Sequence, residues 1–165
     1  MVLRKILLIL LLTIMLSDVY AKEQRGQVAS NNIKVATKFM NTLNDRQFAK
    51  SLMHEEFEFY FMGISQMANE KAYTKETYWT VWMDEIVGPR VPAGFTKVEV
   101  TEAIGDDNGV ALMVEGDAEG INGRYNNSYV FVFRFEDGKI RHLREYASDL
   151  MVETRLYKQK LAPTD

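Results

Sequence analysis

The sequence predicts an α+β domain, with helices first and then a curved antiparallel sheet wrapped around them. Three observations carry this reading. Helical spacing of apolar residues is confined to the part before "GPRVPAG" (88–94), where two of the three prolines break the chain. After that break, strand patterns follow one another, separated by turn signals at "GDDNG" (105–109), Asn122-Gly123 and Asp137-Gly138. Within them, Tyr125, Asn127, Tyr129, Phe131 and Phe133 recur at every second position, which puts them on one face of a strand.

Taken in order, Ser30 to Asn44 is predicted as a helix, with Ile33, Ala36, Met40 and Leu43 at helical spacing and Ser30 or Asn31 as the cap. A short helix follows over Arg46 to Met53. "EFEFYFM", Glu56 to Met62, is rich in strand formers and ends at Gly63. A third helix is predicted over Lys75 to Val87, capped by Thr74, with Trp79, Trp82, Met83 and Ile86 on one face. Strands are then predicted over Phe95 to Ala103, Val110 to Glu119, and the two arms around Asp137-Gly138, a pair that tolerates the positive φ of a tight hairpin. A last helix is predicted over Asp149 to Lys160. The domain so defined covers 31–160, after a polar lead-in (22–30) and before a short tail (161–165).

The N-terminus carries a processing pattern. Arg4 and Lys5 precede an apolar run from Ile6 to Leu16, and Val19 and Ala21 stand at the small-residue positions. This is the pattern of a signal peptide (1–21), cleaved after Ala21, and it implies a secreted or periplasmic protein with no stable membrane anchor after cleavage. The alternative, a spanning helix, needs a longer apolar run. The chain has no cysteine, so an exported form holds its core without disulfides and has no lipidated cysteine.

Bulk composition narrows the function classes. At 165 residues, 47% apolar and net charge −3, the chain supports one domain with a real core. It has no basic stripe and no phosphate-binding glycine motif, so nucleic acid and nucleotide cofactors are not expected. Two histidines and no cysteine make a zinc site unexpected, and no metal or other cofactor is assigned.

"YNNSYVFVFRFEDGKIRHLREY" resembles the final strands of SnoaL-like proteins in the NTF2-like superfamily, and "KFMNTLNDRQFAKSLMHEEFEFYFMG" resembles their first helices and first strand. The likeness spans roughly Asn31 to Asp149. It implies an NTF2-like cone with a pocket for a small apolar molecule. The superfold hosts many chemistries, so activity must be read from the site. Aligned with ketosteroid isomerases, Phe39, Phe131 and Tyr60 or Phe61 occupy the positions of the tyrosine, the donor acid and the base, so that chemistry is not expected. Aligned with limonene epoxide hydrolase, Phe59 and Phe61 replace the water-holding pair. Glu145 matches the last acid, Glu115 or Asp117 falls near the other, and Met113 falls near the arginine. The acid that usually follows the last-strand tyrosine by two is displaced, with Ser148 there and Asp149 next.

These readings nominate Glu145, Asp117 and Glu115 as catalytic candidates. Tyr60, Trp82, Asn127, Tyr129 and Phe131 are the ligand-binding candidates, with Tyr60 also able to donate to Glu145. By the resemblance, the Tyr125–Phe133 face lines the cone, and Leu143 and Glu145 join it. Ile140, His142, Arg144 and Tyr146 then point outward, so His142 and Glu145 are not partners. Val130, Val132, Ile140 and Tyr146 form an apolar outer patch that suggests a homodimer. Each candidate also has a purely structural reading. The aromatic row and the tryptophans suit a core. His54 suits a solvated helix end. Glu115 and Asp117 suit solvated strand ends, and Glu145 suits a salt bridge to an arginine. Three functions stay open: an acid–base enzyme of isomerase, cyclase or hydrolase type acting on a small hydrophobic molecule, a non-catalytic binding module, and a dimeric interaction domain whose cone is filled by its own side chains.

Overall fold

The computed structural model describes the backbone of residues 2–162 and the side chains from Val19 to Ala162. The charged flank and apolar run of the expected signal peptide have their side chains outside the described residues, as does most of the tail.

Helix α1 (Val2–Asn41) runs without a break through Ser30 and Asn31, so neither caps a helix start. Its last turns bury Asn32, Ala36, Phe39 and Met40 and pack on β3, β4 and β6. Helix α2 (Arg46–Ser51) is capped by Asp45, whose carboxylate accepts from the Phe48 N–H at 3.0 Å. Strand β1 (Met53–Met62) starts earlier than expected. It takes in His54, which is therefore a strand residue whose Nδ1 accepts from the Glu56 N–H at 3.1 Å. The two-residue strand β2 (Tyr73–Thr74) pairs with it. The third helix is a π-helix over Tyr78–Val87 that runs into a 3-10 turn, Gly88–Arg90. Strands β3 (Phe95–Gly105), β4 (Val110–Gly120), β5 (Gly123–Glu136) and β6 (Lys139–Tyr146) follow. Helix α3 is short (Asp149–Met151) and continues as a π-helical turn, Val152–Leu156, where a helix to Lys160 was expected.

The six strands form one curved, unclosed sheet in the order β2-β1-β6-β5-β4-β3. The sheet is mixed, because β1 runs parallel to β6 while the other pairs are antiparallel. Asp137 and Gly138 both take positive φ, as the hairpin joining β5 to β6 requires. The concave face is apolar. Phe57, Phe59 and Phe61 of β1, Leu112 and Val114 of β4, Phe131 and Phe133 of β5 and Leu143 of β6 are all buried there. The π-helix lies over the β1 end of this face. Tyr78 meets Phe59 with ring centroids 5.0 Å apart, and Trp82 meets Phe59 at 4.9 Å and Phe61 at 5.3 Å. From the other side, Phe39 of α1 meets Phe133 edge-on at 6.2 Å.

One parity assignment changes. The β5–β6 register shifts between Arg134 and Phe135, leaving Arg141 as an unpaired extra residue. Residues on either side of such a bulge do not alternate simply, so Ile140 is fully buried in the core instead of lying on the outer face. The outer apolar patch therefore loses Ile140. It keeps Val130 and Tyr146, which are 38% and 41% exposed, and the half-buried Val132.

Candidate functional site

A cavity of about 670 Å³ lies between the concave sheet, α1 and the π-helix. Phe61, Trp82, Met83, Val114, Tyr129 and Phe131 line it together with Glu145, and Asn41, Asn44, Val91 and Phe95 contribute nearer the turns. The lining is mostly apolar with few polar groups, the usual make-up of a small-molecule site.

Glu145 is the last residue but one of β6, opposite Phe61 of β1 and Phe131 of β5. Both neighbours are rings, and neither can solvate a carboxylate. Glu145 is 9% exposed. Burial pushes its carboxyl up to about 8, with no cation or hydrogen-bond donor offsetting the rise. At pH 7 the neutral form of the group is therefore favoured. The salt-bridge reading of Glu145 has no counterpart among the described residues. Arginine lies elsewhere on this strand: Arg144 is exposed, and Arg141 faces outward.

A polar chain borders the Glu145 wall. The Ser148 N–H donates to Asn127 Oδ1 at 3.2 Å, and Asn127 Nδ2 donates to the Tyr125 hydroxyl at 3.1 Å. The Tyr129 hydroxyl, next to that of Tyr125, is buried with no hydrogen-bond partner of good geometry. Burial pushes the Tyr125 hydroxyl up to about 12 and moves those of Tyr129 and Tyr78 well above the ordinary tyrosine value, so all three stay neutral across the physiological range. The ring of Tyr129 stacks on Phe131 at 5.6 Å and lies over Gly116, where an added Cβ would come within 2.7 Å of it.

The structure therefore brings Glu145, Trp82, Tyr129 and Phe131 to one cavity and separates the other candidates from it. Asn127 is on the inner face but not on the cavity wall, and its amide is spent holding Tyr125 and the start of α3. Tyr60 is not on the inner face at all. Phe59 and Phe61 take the inward positions, so Tyr60 points away from Glu145 and cannot donate to it. Glu115 and Asp117 are likewise on the outer face, because Val114, Gly116 and Ala118 face inward. Glu115 accepts from Ser128 Oγ at 3.0 Å, and Asp117 pairs with Arg124 at 2.6 Å, which holds its carboxyl below the usual range. Neither can share chemistry with Glu145. Asp149 is also committed, accepting from the Ile64 and Ser65 N–H groups at 3.0 and 3.2 Å. Tyr78, Tyr125, Val91 and Leu156 were not nominated as site residues. Tyr125 was legible by parity, whereas the others depend on how the helices cross the sheet.

His54, Glu56 and Glu136 bring one ligand atom each within 4.8 Å of one another at the surface. Arg141 already lies 3.3 Å from Glu56 and 3.4 Å from Glu136, so these carboxylates have a cation from the chain itself.

No family profile and no curated protein matches the sequence. Solved structures do match the fold. A protein assigned to the SnoaL-like polyketide cyclases, from Jannaschia sp. CCS1, superposes with a TM-score of 0.65 at 14% identity, covering 81% of this chain and 96% of its own. A phenazine biosynthesis-related protein from Pseudomonas aeruginosa gives 0.64 at 19%, covering 87% and 96%. An LEH-like epoxide hydrolase from M. tuberculosis gives 0.59 at 18%, covering 79% and 92%. At identities this low the likeness establishes architecture: the chain has the NTF2-like fold, as the SnoaL-like structures do.

Proposed function

We propose that this NTF2-like domain takes a small, largely apolar molecule into its cone, and that Glu145 performs acid–base chemistry on it. The observation that carries the reading is the burial of an unpartnered carboxyl among rings, in a cavity of about 670 Å³. A carboxyl in that setting is costly to keep unless it has a use. Its protonation midpoint, about 8, suits proton transfer near neutral pH. An isomerase, cyclase or hydrolase type of reaction fits a single acid–base group. One observation favours a non-catalytic binder instead: no second titratable group on the cavity wall ionises near neutrality, since its tyrosines are all pushed upward.

The deciding experiment offers apolar ketones and epoxides to the protein in deuterated buffer at pH 7, with mass spectrometry reading deuterium incorporation or ring opening. Turnover that Glu145→Gln abolishes, with binding kept, supports catalysis. Binding without turnover in either protein supports the binder. Turnover that survives in Glu145→Gln removes Glu145 from the chemistry. We further propose that the domain works after export and removal of residues 1–21, on the strength of the N-terminal pattern. Intact-mass measurement of exported material that still carries Met1 would refute this.

A further inference from the structure

We propose that Tyr129 is the second polar anchor of the cavity, and that its hydroxyl donates to an acceptor oxygen, a carbonyl or the like, on the bound molecule. The proposal rests on the small-molecule reading of the cavity and narrows the class of ligand.

The argument begins at a backbone group. The Ser148 N–H can only donate, so the Asn127 atom it meets must be the amide oxygen. That fixes the amide orientation and leaves Nδ2 facing the Tyr125 hydroxyl, again as a donor. The Tyr125 oxygen is thereby occupied as an acceptor, and its proton is directed onward. Its neighbour is the Tyr129 hydroxyl, which can take that proton but has no acceptor for its own. Three buried side-chain groups among the described residues lack a partner, namely Ser65 Oγ, Trp79 Nε1 and the Tyr129 hydroxyl. Only Tyr129 belongs to the cavity wall. An orphaned hydroxyl costs stability in the free protein, and a ligand acceptor relieves that cost.

The polarity of the wall follows. Asn127 biases both tyrosines toward donating, and the Glu145 carboxyl is mostly protonated at neutral pH and donates as well. Such a wall rewards a ligand that carries acceptors and gives nothing to a hydrocarbon.

The test compares fluorenone with fluorene, which share a ring frame but differ by a carbonyl. Affinities are measured by calorimetry at pH 7, and the carbonyl stretch of bound fluorenone by infrared difference spectroscopy. In the native protein, fluorenone should bind about two- to tenfold tighter than fluorene, the range expected of one neutral hydrogen bond. Its carbonyl band should move to lower frequency on binding. Tyr129→Phe should remove that preference and return the band toward its free position, with fluorene affinity unchanged. The ligand-free variant gives up only the bond its hydroxyl accepts from Tyr125, so its thermal stability should fall little. If both compounds bind and Tyr129→Phe alters neither the preference nor the band, Tyr129 is not the anchor while the cavity reading stands. If neither compound binds, the cavity reading falls and this proposal with it.

Discussion

The two faces of β6 treat charge in opposite ways. Outside, Arg141 meets Glu56, Glu58 and Glu136 at 3.3, 3.8 and 3.4 Å, and His142 lies 3.2 Å from Glu58. Its guanidinium also donates to the Glu56 carbonyl. Inside, four residues further along the same strand, Glu145 has rings on both neighbouring strands and no cation. The outer network is compensated: Arg141 is mostly covered but has three carboxylates that reach solvent, so removing one carboxylate leaves it the other two. The inner carboxyl has neither a cation nor open solvent. One carboxylate type thus has two fates, set by strand parity. The inner one is displaced far enough in acidity to exchange protons near neutral pH.

The largest test of this contrast is the pH dependence of stability in Glu145→Gln. The native carboxyl titrates at about 8, above its ordinary 4.5, so the folded state binds the proton more tightly than the unfolded state. Stability from this group is complete below pH 4.5 and is lost as pH rises through 8. The loss is about 1.4 kcal/mol per pH unit across that window, or on the order of 5 kcal/mol in total. Urea denaturation at pH 9 should therefore find Glu145→Gln more stable than the native protein by a few kcal/mol, with the two converging near pH 4. Equal stability at both pH values would mean that Glu145 ionises without penalty.

A smaller effect is expected at Gly116, where the inner face admits no side chain. Gly116→Ala places a Cβ against the Tyr129 ring, which must shift, at a cost of about 1–3 kcal/mol. Fluorenone affinity should fall with it. A stability unchanged by the substitution would show that the ring has room to move. The smallest effect belongs to the outer face. Asp117→Asn breaks the surface pair with the exposed Arg124, and thermal denaturation should hardly separate it from the native protein at moderate salt. A clear drop would mean that the outer charges are not interchangeable with water.

The same contrast explains what could be read from sequence. Parity along β5 was legible because four of five alternate side chains, Tyr125, Tyr129, Phe131 and Phe133, are large and aromatic. On β4 the inward positions after Val114 are Gly116 and Ala118, which carry little hydrophobic signal, so Glu115 and Asp117 between them looked available to the cone. Tyr60 was misplaced although Phe57, Phe59 and Phe61 already fixed the parity of β1, because its position rested on an approximate alignment. Ile140 was lost to the bulge at Arg141, which leaves no mark in the alternation. The π-helical winding over Tyr78–Val87 and the parallel pairing of β1 with β6 are set by tertiary packing and left no local trace. Placing Glu145 inside the cone took the family resemblance, which set the inner face, together with the alternation of β6 beyond the bulge.

That parallel pairing also governs the order in which the molecule can assemble. Phe61 and Glu145 sit side by side although about eighty residues separate them along the chain, and no local hairpin links their strands. Strands β3, β4 and β5 can form a meander as soon as they are made. By contrast, β1 has only the two-residue strand β2 beside it until β6 arrives. Closing so long a loop costs entropy before any contact repays it, so the union of β1 with β6 is expected to come late and to limit the folding rate. The wall that holds Glu145 would then be the last part of the sheet to close, and a growing chain would have no finished cavity until its final strand was released.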